Sequence, residues 1–223
     1  MVKFLDTLSI IRELPRGIFF EYRRRAVAPS RPGLFPHSHD FCELYFHHSG
    51  ECAYLTEHGL YDLTDTSVIF TRPGELHGVR VMEACSYVHS YFYIPTDAFL
   101  FLGEPSPMRF FFNRPFGQRN YLRMPHDAAE ECRSHLAAIC KDATQNETDR
   151  SVNALAQLMM ILTAINRVLE SGSPNAAHAE ESNALLSEAL RCIHANIGEI
   201  GSVDDLARRL YVSREYLSRL FSK

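Results

Sequence analysis

Short runs of aromatic and β-branched residues recur through the first half of the chain, separated by turn-forming residues. The runs are FCELYFHH, CAYLTE, SVIF, VRVM and YVHSYFYI, at residues 41–48, 52–57, 67–70, 79–82 and 87–94. Runs of this length and composition are typical of β-strands, and the Gly- and Pro-containing segments between them are typical of turns. Strands that repeat at roughly ten-residue spacing predict a sandwich or small barrel, which we assign to residues 1–125.

The hydrophobic pattern becomes helical after residue 125. Residues 127–142 repeat apolar side chains every three or four positions, which predicts one apolar helix face. The next predicted helix, at 149–170, carries two apolar stripes, and a helix this apolar is covered on more than one side. We expect one side to lie against the barrel and the other against a second subunit, with a purely intrachain core as the alternative. Residues 126–170 are therefore predicted to be a helical dimerisation segment.

Turn-forming and small residues at 171–181 end this helix and predict a linker. Helical periodicity returns over residues 182–223. Within this part, Ser202 followed three residues later by Asp205 resembles a capping box, which predicts the start of a short helix. Ser213 can cap a last helix.

The apolar residues of these last two predicted helices have the spacing of a helix-turn-helix. Ala207 lies in the middle of the first helix, where a small side chain lets the two helices cross. Leu217 and Leu220 of the second helix lie where they fix the crossing angle. Tyr211 and Val212 occupy the predicted turn.

Composition narrows the class of protein. With 223 residues, 46% hydrophobic and 22% charged, the chain is typical of globular proteins and not of disordered ones. The sequence contains no apolar run of about 18 residues, and its N-terminus is charged, so we expect no signal peptide and no membrane partner. Six cysteines include no C-x-x-C pair, which argues against zinc-ribbon and thioredoxin-type sites. We therefore expect a cytoplasmic protein with free thiols.

The net charge of −4 is unevenly distributed along the chain. Residues 206–223 carry five basic residues and one acidic residue, a net charge of +4, so the preceding 205 residues sum to −8. An acidic body with a basic tip is one pattern of a regulator that touches nucleic acid with its tail only. A solvated basic helix is the alternative.

Histidines are concentrated in the predicted barrel, since eight of the 11 lie in the first 126 residues. His37, His39 and Glu43 are separated by even numbers of residues, so on one strand all three would project to the same face. His77, from a neighbouring strand, would complete a site of three histidines and one carboxylate. Such a site suits a divalent metal such as Zn, Ni, Mn or Fe. The alternative is that these histidines serve hydrogen bonding or ligand contact without metal.

The sequence around these residues resembles the two motifs of the cupin family. H-S-H-D-F-C-E at 37–43, with Gly50 seven residues beyond Glu43, resembles the first motif, and G-E-L-H at 74–77 resembles the second, although Arg72 stands at the place of its proline. The resemblance covers residues 30–95. It implies a small jelly-roll barrel whose interior holds the three histidines and the glutamate.

The string LARRLYVSREYLSRLF, at 206–221, resembles the first helix-turn-helix of AraC-type transcription regulators. Such proteins pair it with a cupin-like sensor domain and a helical dimerisation segment, in the order predicted for this chain. The resemblance implies a mainly β jelly-roll barrel (1–125), a helical dimerisation segment (126–170), a linker (171–181) and the first helix-turn-helix of a truncated DNA-binding domain (182–223). Tyr211 stands where glycine is common in that family, and the family's second helix-turn-helix has no counterpart before residue 223.

The AraC resemblance implies that the last helix contacts DNA. Arg219 can donate to both O6 and N7 of guanine, and Glu215 can accept from N4 of cytosine. The implied DNA-binding residues are Ser213, Arg214, Glu215, Tyr216, Ser218 and Arg219.

The same resemblance implies an effector site in the barrel. Sugar-responsive members carry a histidine and an aromatic residue two positions apart on a late strand, and His89 and Tyr91 provide that pair. An aromatic ring can stack on a sugar while an imidazole hydrogen-bonds its hydroxyl groups. The alternative is that Tyr91 is an ordinary core residue.

Together these features favour a cytoplasmic, homodimeric, ligand-responsive DNA-binding transcription regulator that is not an enzyme. Its effector is expected to be a sugar or a related polar metabolite. The alternative function is a metal-dependent cupin enzyme, such as an oxygenase or isomerase. A third hypothesis is an interaction module that dimerises with longer relatives and does not itself hold DNA.

Overall fold

The fold is described by a computed structural model for residues 8–29, 36–56, 59–141, 147–172, 188–189, 192–193, 196 and 198–222. This part of the chain is mostly β-sheet up to residue 123 and helical after it. The strands are β1 (Leu8–Leu14), β2 (Ile18–Val27), β3 (Cys42–Ser49), β4 (Cys52–Thr56), β5 (Gly59–Asp62), β6 (Ser67–Thr71), β7 (His77–Val81), β8 (Cys85–Ile94) and β9 (Tyr121–Arg123). The helices are α1 (Arg109–Phe112), α2 (His126–Lys141), α3 (Glu147–Glu170), α4 (Val203–Arg209) and α5 (Arg214–Ser222).

The elements lie largely where the hydrophobic pattern predicts them. All five predicted strand runs fall on strands, and the two helices predicted after residue 125 are α2 and α3. The pattern does not predict β1, β2, β5 or β9. The predicted linker at 171–181 and most of the predicted helix that follows it lie outside the described residues.

The strands form two antiparallel sheets. The larger sheet has the order β1-β2-β8-β3-β6-β9, and the smaller one has the order β5-β4-β7. Tyr45 and Ile69 of the larger sheet pack with Tyr54 and Tyr61 of the smaller sheet in one buried cluster. The two sheets therefore lie face to face, as expected for a cupin-like sensor domain.

The larger sheet is buried on both faces. On β3, Leu44 and Phe46 belong to the core shared with α2 and α3, whereas Tyr45 faces the smaller sheet. On β8, Phe92 belongs to the helix-side core, whereas Tyr91 packs against the cluster between the sheets. Because successive side chains of a strand point to opposite faces, even-numbered residues of β3 and β8 contact the helical side and odd-numbered residues line the space between the sheets.

Helix α3 lies inside the helix-side core. Ile161, Leu162 and Ile165 are fully buried, and α3 packs against α2 and β1. Both apolar stripes of this helix are therefore covered by the chain itself, so they give no reason to expect a second subunit. Residues 149–170 are long and apolar enough to cross a membrane, but buried core helices of soluble proteins pass the same test.

A buried ion pair fastens the connection between β8 and β9 to the barrel. The Glu75 carboxylate is fully buried and accepts hydrogen bonds from Nη1 and Nη2 of Arg114, at 2.8 and 2.5 Å. It also accepts from the backbone N–H groups of Arg72 and Gly117, at 3.0 and 2.7 Å. Arg114 Nη2 in turn donates to the carbonyl of Phe70 at 3.1 Å. The buried carboxylate is thus both paired and hydrogen-bonded, which is what burial of a charge requires.

Helices α4 and α5 pack against each other across a short turn. The hydroxyl of Ser202 accepts a hydrogen bond from the backbone N–H of Asp205 at 3.2 Å, so the predicted cap of α4 is confirmed. Leu217 of α5 packs in one cluster with Ala207 of α4. Tyr211, in the turn, has a φ of 55° and is 96% exposed. This left-handed backbone suits glycine best, so tyrosine is a strained choice at this position.

Candidate functional site

Three histidines and a glutamate converge at one end of the space between the sheets. The ligand atoms of His37, His39, Glu43 and His77 all lie within 4.8 Å of one another. Glu43 is on β3 and His77 begins β7. His37 pairs with His77 through two backbone hydrogen bonds of 3.0 Å, and this bridge brings the first motif beside the second.

The expectation that His37, His39 and Glu43 share one strand is wrong. Strand β3 begins only at Cys42, and His37 and His39 lie in the irregular segment before it. The backbone bridge between His37 and His77, and not a continuous strand, brings the imidazoles together. The four side chains therefore do come together, but not through even spacing along one strand.

Backbone carbonyls fix the orientation of two of these rings. Nδ1 of His39 lies 3.0 Å from the carbonyl of Phe41, and Nδ1 of His77 lies 2.9 Å from the carbonyl of Glu75. With Nδ1–H donating to these carbonyls, Nε2 of each ring is left to face Glu43 Oε2, at 3.1 and 3.3 Å. His77 Nε2 is buried and makes no hydrogen bond within the described part of the chain. A ring held by Nδ1 with Nε2 free is the usual state of a metal-ligating histidine.

The charges at this cluster favour a cation. Burial raises the pKa of Glu43, but the facing imidazoles of His39 and His77 outweigh burial and lower it to about 2, so the carboxylate is ionised. Burial lowers the pKa of His37, and the neighbouring His77 lowers it further. Donor atoms around one tetrahedral zinc ion lie about 3.4 Å apart, so the most distant of these side chains would move together by about 1.4 Å to hold the ion. These residues therefore fit a divalent metal, and the metal itself stays a prediction.

His89 and Tyr91 lie on β8 and face the space between the sheets, as predicted. Their rings are nearly parallel, with centroids 6.0 Å apart and an interplanar angle of 12°. The Tyr91 hydroxyl donates a hydrogen bond to Glu21, which is 2% exposed. Glu21 also accepts hydrogen bonds from the side chains of Ser9 and Arg23, at 2.6 and 2.7 Å. Glu21 and Arg23 are not evident from the sequence, because their strand, β2, contains a run of charged residues.

His89 is a buried polar group with an unused nitrogen. Its ring stacks on Tyr87 with centroids 4.2 Å apart, and its Nδ1 has no hydrogen-bond partner among the described residues. Burial, with a smaller effect of Arg25, lowers the pKa of His89 to about 3. The ring is therefore neutral at pH 7 and offers its free nitrogen to a polar ligand.

The predicted DNA-binding residues lie on or beside α5. Ser213 Oγ accepts from the backbone N–H of Tyr216 at 3.1 Å, so Ser213 caps the helix. Arg214 pairs with Asp204 of α4 at 3.1 Å. Leu217 is buried, whereas all the predicted residues whose side chains are described are exposed, namely Ser213, Arg214, Glu215, Tyr216 and Ser218. The side chain of Arg219 lies outside the described residues.

Comparison with known proteins identifies the family. Among solved structures, the chain is similar to apo ToxT K231A from Vibrio cholerae, with 12% identity and a TM-score of 0.47 over 94% of this chain and 76% of that one. It is also similar to the AraC-like transcriptional activator CuxR, with 12% identity and a TM-score of 0.43 over 96% and 80%. KdgF from Halomonas sp. matches at 15% identity and a TM-score of 0.34, over 43% of this chain and 89% of that one.

The family assignment rests on the sequence rather than on these structural likenesses. None of the curated proteins compared matches the chain. The family model described as "AraC-like ligand binding domain" matches residues 28–191, which is well over half of the sequence. The chain therefore belongs to the family of AraC-like ligand-binding domains.

Proposed function

We propose that this protein is a transcription regulator whose barrel binds a small effector and whose C-terminal helices bind DNA. The observation that carries the proposal is membership of the AraC-like ligand-binding family. The exposed face of α5 and the net charge of +4 over residues 206–223 support the DNA-binding part.

Binding to duplex DNA is expected to be weak, to depend on salt, and to require Arg219. A single helix pair neutralises few phosphates, so we expect micromolar affinity. Replacing Arg219 by alanine is expected to weaken binding about tenfold and, if it contacts a phosphate, to reduce the salt slope by about one. Fluorescence anisotropy with promoter duplexes over a salt series measures the affinity and its dependence on salt.

Arg123→Ala, which removes an exposed arginine on β9, is the matched control. Equal affinity for Arg219→Ala and the control would contradict the proposal.

The effector is proposed to be a sugar or a related polar metabolite bound between the sheets. The parallel rings of His89 and Tyr91, the free His89 nitrogen and the buried Glu21 carboxylate support a ligand that carries several hydroxyl groups. A thermal-shift screen of sugars and polar metabolites tests this. An effector should stabilise the native protein and should lose its effect in Tyr91→Leu. A screen in which only apolar compounds stabilise the protein would contradict the assignment.

A divalent metal is proposed at His37, His39, Glu43 and His77. Protein purified without an affinity tag is expected to bind about one equivalent of metal, and His39→Ala is expected to lower the affinity at least tenfold. Metal analysis by mass spectrometry, together with zinc titration, measures this. His126→Ala is the control, because that side chain is exposed and distant from the cluster in sequence. Unchanged metal content in His39→Ala would overturn the assignment.

A metal-dependent cupin enzyme is the second candidate, and only the same cluster favours it. An oxygenase or isomerase would convert a small molecule in a metal-dependent reaction that Glu43→Gln abolishes. Incubation of metal-loaded protein with metabolite mixtures, analysed by mass spectrometry, distinguishes this candidate from a regulator. A regulator is expected to leave the mixture unchanged.

A homodimer remains a proposal, on a narrower surface than the sequence predicts. Val152 and Met160, two turns apart on α3, are 57% and 49% exposed, and Ala156 lies exposed between them. Light scattering is expected to give twice the chain mass, and Met160→Glu is expected to shift the protein towards monomer. Ala137→Glu, the same charge change at an exposed position of α2, is the control for charge. A dimer that shows no DNA binding would favour the interaction-module hypothesis instead.

A further inference from the structure

A cleft outside the barrel interior lies at the C-terminal end of α3. Its volume is about 340 Å³. Phe70, Phe110 and Leu169 form an apolar floor, and Arg109, Arg114 and Arg119 line it with charge. Phe70 and Phe110 belong to the helix-side core, so the cleft is on the opposite face of the larger sheet from His89. We call it the arginine cleft.

The arginine cleft contains one positive charge that no carboxylate balances. Arg109 donates to Glu170 from Nε and Nη2, at 3.0 and 2.5 Å. Arg114 is paired with the buried Glu75. Arg119 is exposed and has no ion-pair partner within the described part of the chain. Arg109 and Arg114 are thus paired with carboxylates, although Glu75 is shared with Arg72, and an anionic group in the cleft would find Arg119 unpaired among the described residues.

A buried donor in the cleft wall also lacks a partner. The Arg114 side chain is 3% exposed, and although Nη1 and Nη2 are fully engaged with Glu75 and backbone carbonyls, Nε makes no hydrogen bond to the described residues. Buried polar groups are almost always satisfied, so this N–H is a feature of the cleft lining that the described residues leave unexplained.

We propose that the arginine cleft binds a small monocarboxylate with an apolar body. The guanidinium fork matches a carboxylate, and the apolar floor can cover a ring or a short alkyl chain. The volume lies at the lower end of the range for small-molecule sites, about 300–1,000 Å³, which limits the ligand to a compact molecule.

A single negative charge suits this cleft better than two. Glu170 lies in its wall, and the C-terminal end of α3 carries the negative end of the helix dipole. Both would repel a second charge, which disfavours a phosphate dianion. Glu170 also competes with the ligand for Arg109, so a bound carboxylate would release the last turn of α3 from its ion pair. The site does not depend on DNA binding or on a ligand between the sheets.

Calorimetric titration of the whole chain with benzoate tests the proposal. Native protein is expected to bind benzoate in one equivalent, and benzamide, the neutral analogue of the same shape, at least about tenfold more weakly. Arg119→Gln is expected to weaken benzoate binding about tenfold, because it removes the unbalanced charge. Glu170→Gln is expected to tighten binding several-fold, because it frees Arg109. Arg123→Gln, an equal charge change at an exposed site outside the cleft, should have no effect.

Each remaining outcome decides against the proposal. The three substituted side chains are exposed, so the variants are expected to fold. No binding of benzoate at 10 mM, or equal binding of benzamide, would overturn it. Tighter binding of phenyl phosphate than of benzoate would overturn the assignment to a monocarboxylate. Binding that survives Arg119→Gln but is lost in His89→Ala would place benzoate between the sheets and would leave the arginine cleft without a role.

Discussion

Replacement of Glu75 by glutamine is expected to lower the free energy of unfolding by about 3–5 kcal/mol. Glutamine has the shape of glutamate, so the substitution creates no cavity, but it leaves the buried Arg114 guanidinium without its counter-charge. It also turns an oxygen that accepts from the Gly117 or Arg72 backbone into an amide that cannot accept. An uncompensated buried charge is among the most destabilising changes known in proteins.

Urea unfolding followed by circular dichroism measures this effect. Glu130→Gln is the control, because Glu130 pairs with Arg133 at the surface and the loss of an exposed ion pair should change stability little. Removing the other charge as well, in Glu75→Gln/Arg114→Met, should cost less than the sum of the two single substitutions, because the buried Arg114 charge is removed together with its partner. If Glu75→Gln lowers the free energy of unfolding by less than about 1 kcal/mol, the Glu75–Arg114 pair does not hold the β8–β9 connection against the barrel.

Acidification from pH 7 to pH 5 is expected to destabilise the fold through His48 and His89. Burial, reinforced by His47 and Arg133, lowers the pKa of His48 to about 4, and the pKa of His89 is lowered to about 3. Below about pH 6.5 the unfolded chain binds protons at these positions that the folded chain does not bind. The stability that these groups contribute is therefore complete above pH 6.5 and is lost progressively as the pH falls towards the folded pKa values.

The free energy of unfolding is expected to fall by about 1.4 kcal/mol per pH unit for each histidine. The total for both is at most about 4 kcal/mol at pH 5. Urea unfolding at pH 7, 6 and 5 measures it, and pH 5 is high enough to keep carboxylates such as Glu43 ionised. The pKa of His77 is raised and acts in the opposite direction, so the comparison with His89→Phe isolates the effect. That variant is expected to lose part of the pH dependence, because burial also lowers the pKa values of His48, His37 and His47, whereas His126→Gln should leave the dependence unchanged. An unchanged slope in His89→Phe would rule out the buried neutral state of His89.

The sequence predicts the strands with mostly buried residues but misses those that are exposed, charged or very short. Strands β3, β6 and β8 are almost wholly buried, so their aromatic and β-branched runs stand out. Strand β1 is an edge strand with mostly exposed residues, and β2 contains three consecutive arginines at 23–25. Exposed and charged strands carry no hydrophobic run, because nothing packs against those positions.

The candidate site is predictable only where its residues lie in a local motif. His37, His39 and Glu43 fall within seven residues, so their pattern is visible in the sequence. The Glu75–Arg114 pair joins residues 39 apart, and Glu21 meets Tyr91 across 70 residues. Such pairs depend on the register of strands and on loop packing, which no periodicity encodes. Tertiary structure is therefore needed to find the charged groups that surround a predicted site.

Strand β8 separates the space between the two sheets from the layer formed by helices α2 and α3. His89 and Tyr91 face the space between the sheets. Their covalent neighbours Ser90 and Phe92 face the helical side, where Ser90 forms a hydrogen bond of 2.9 Å with Nε2 of His48. A ligand that shifts β8 by a fraction of an ångström must move both sets of side chains together, because they belong to one backbone. Mechanical coupling between the barrel interior and the α2–α3 layer thus needs no hinge and no chain of contacts, since a single strand forms part of both compartments.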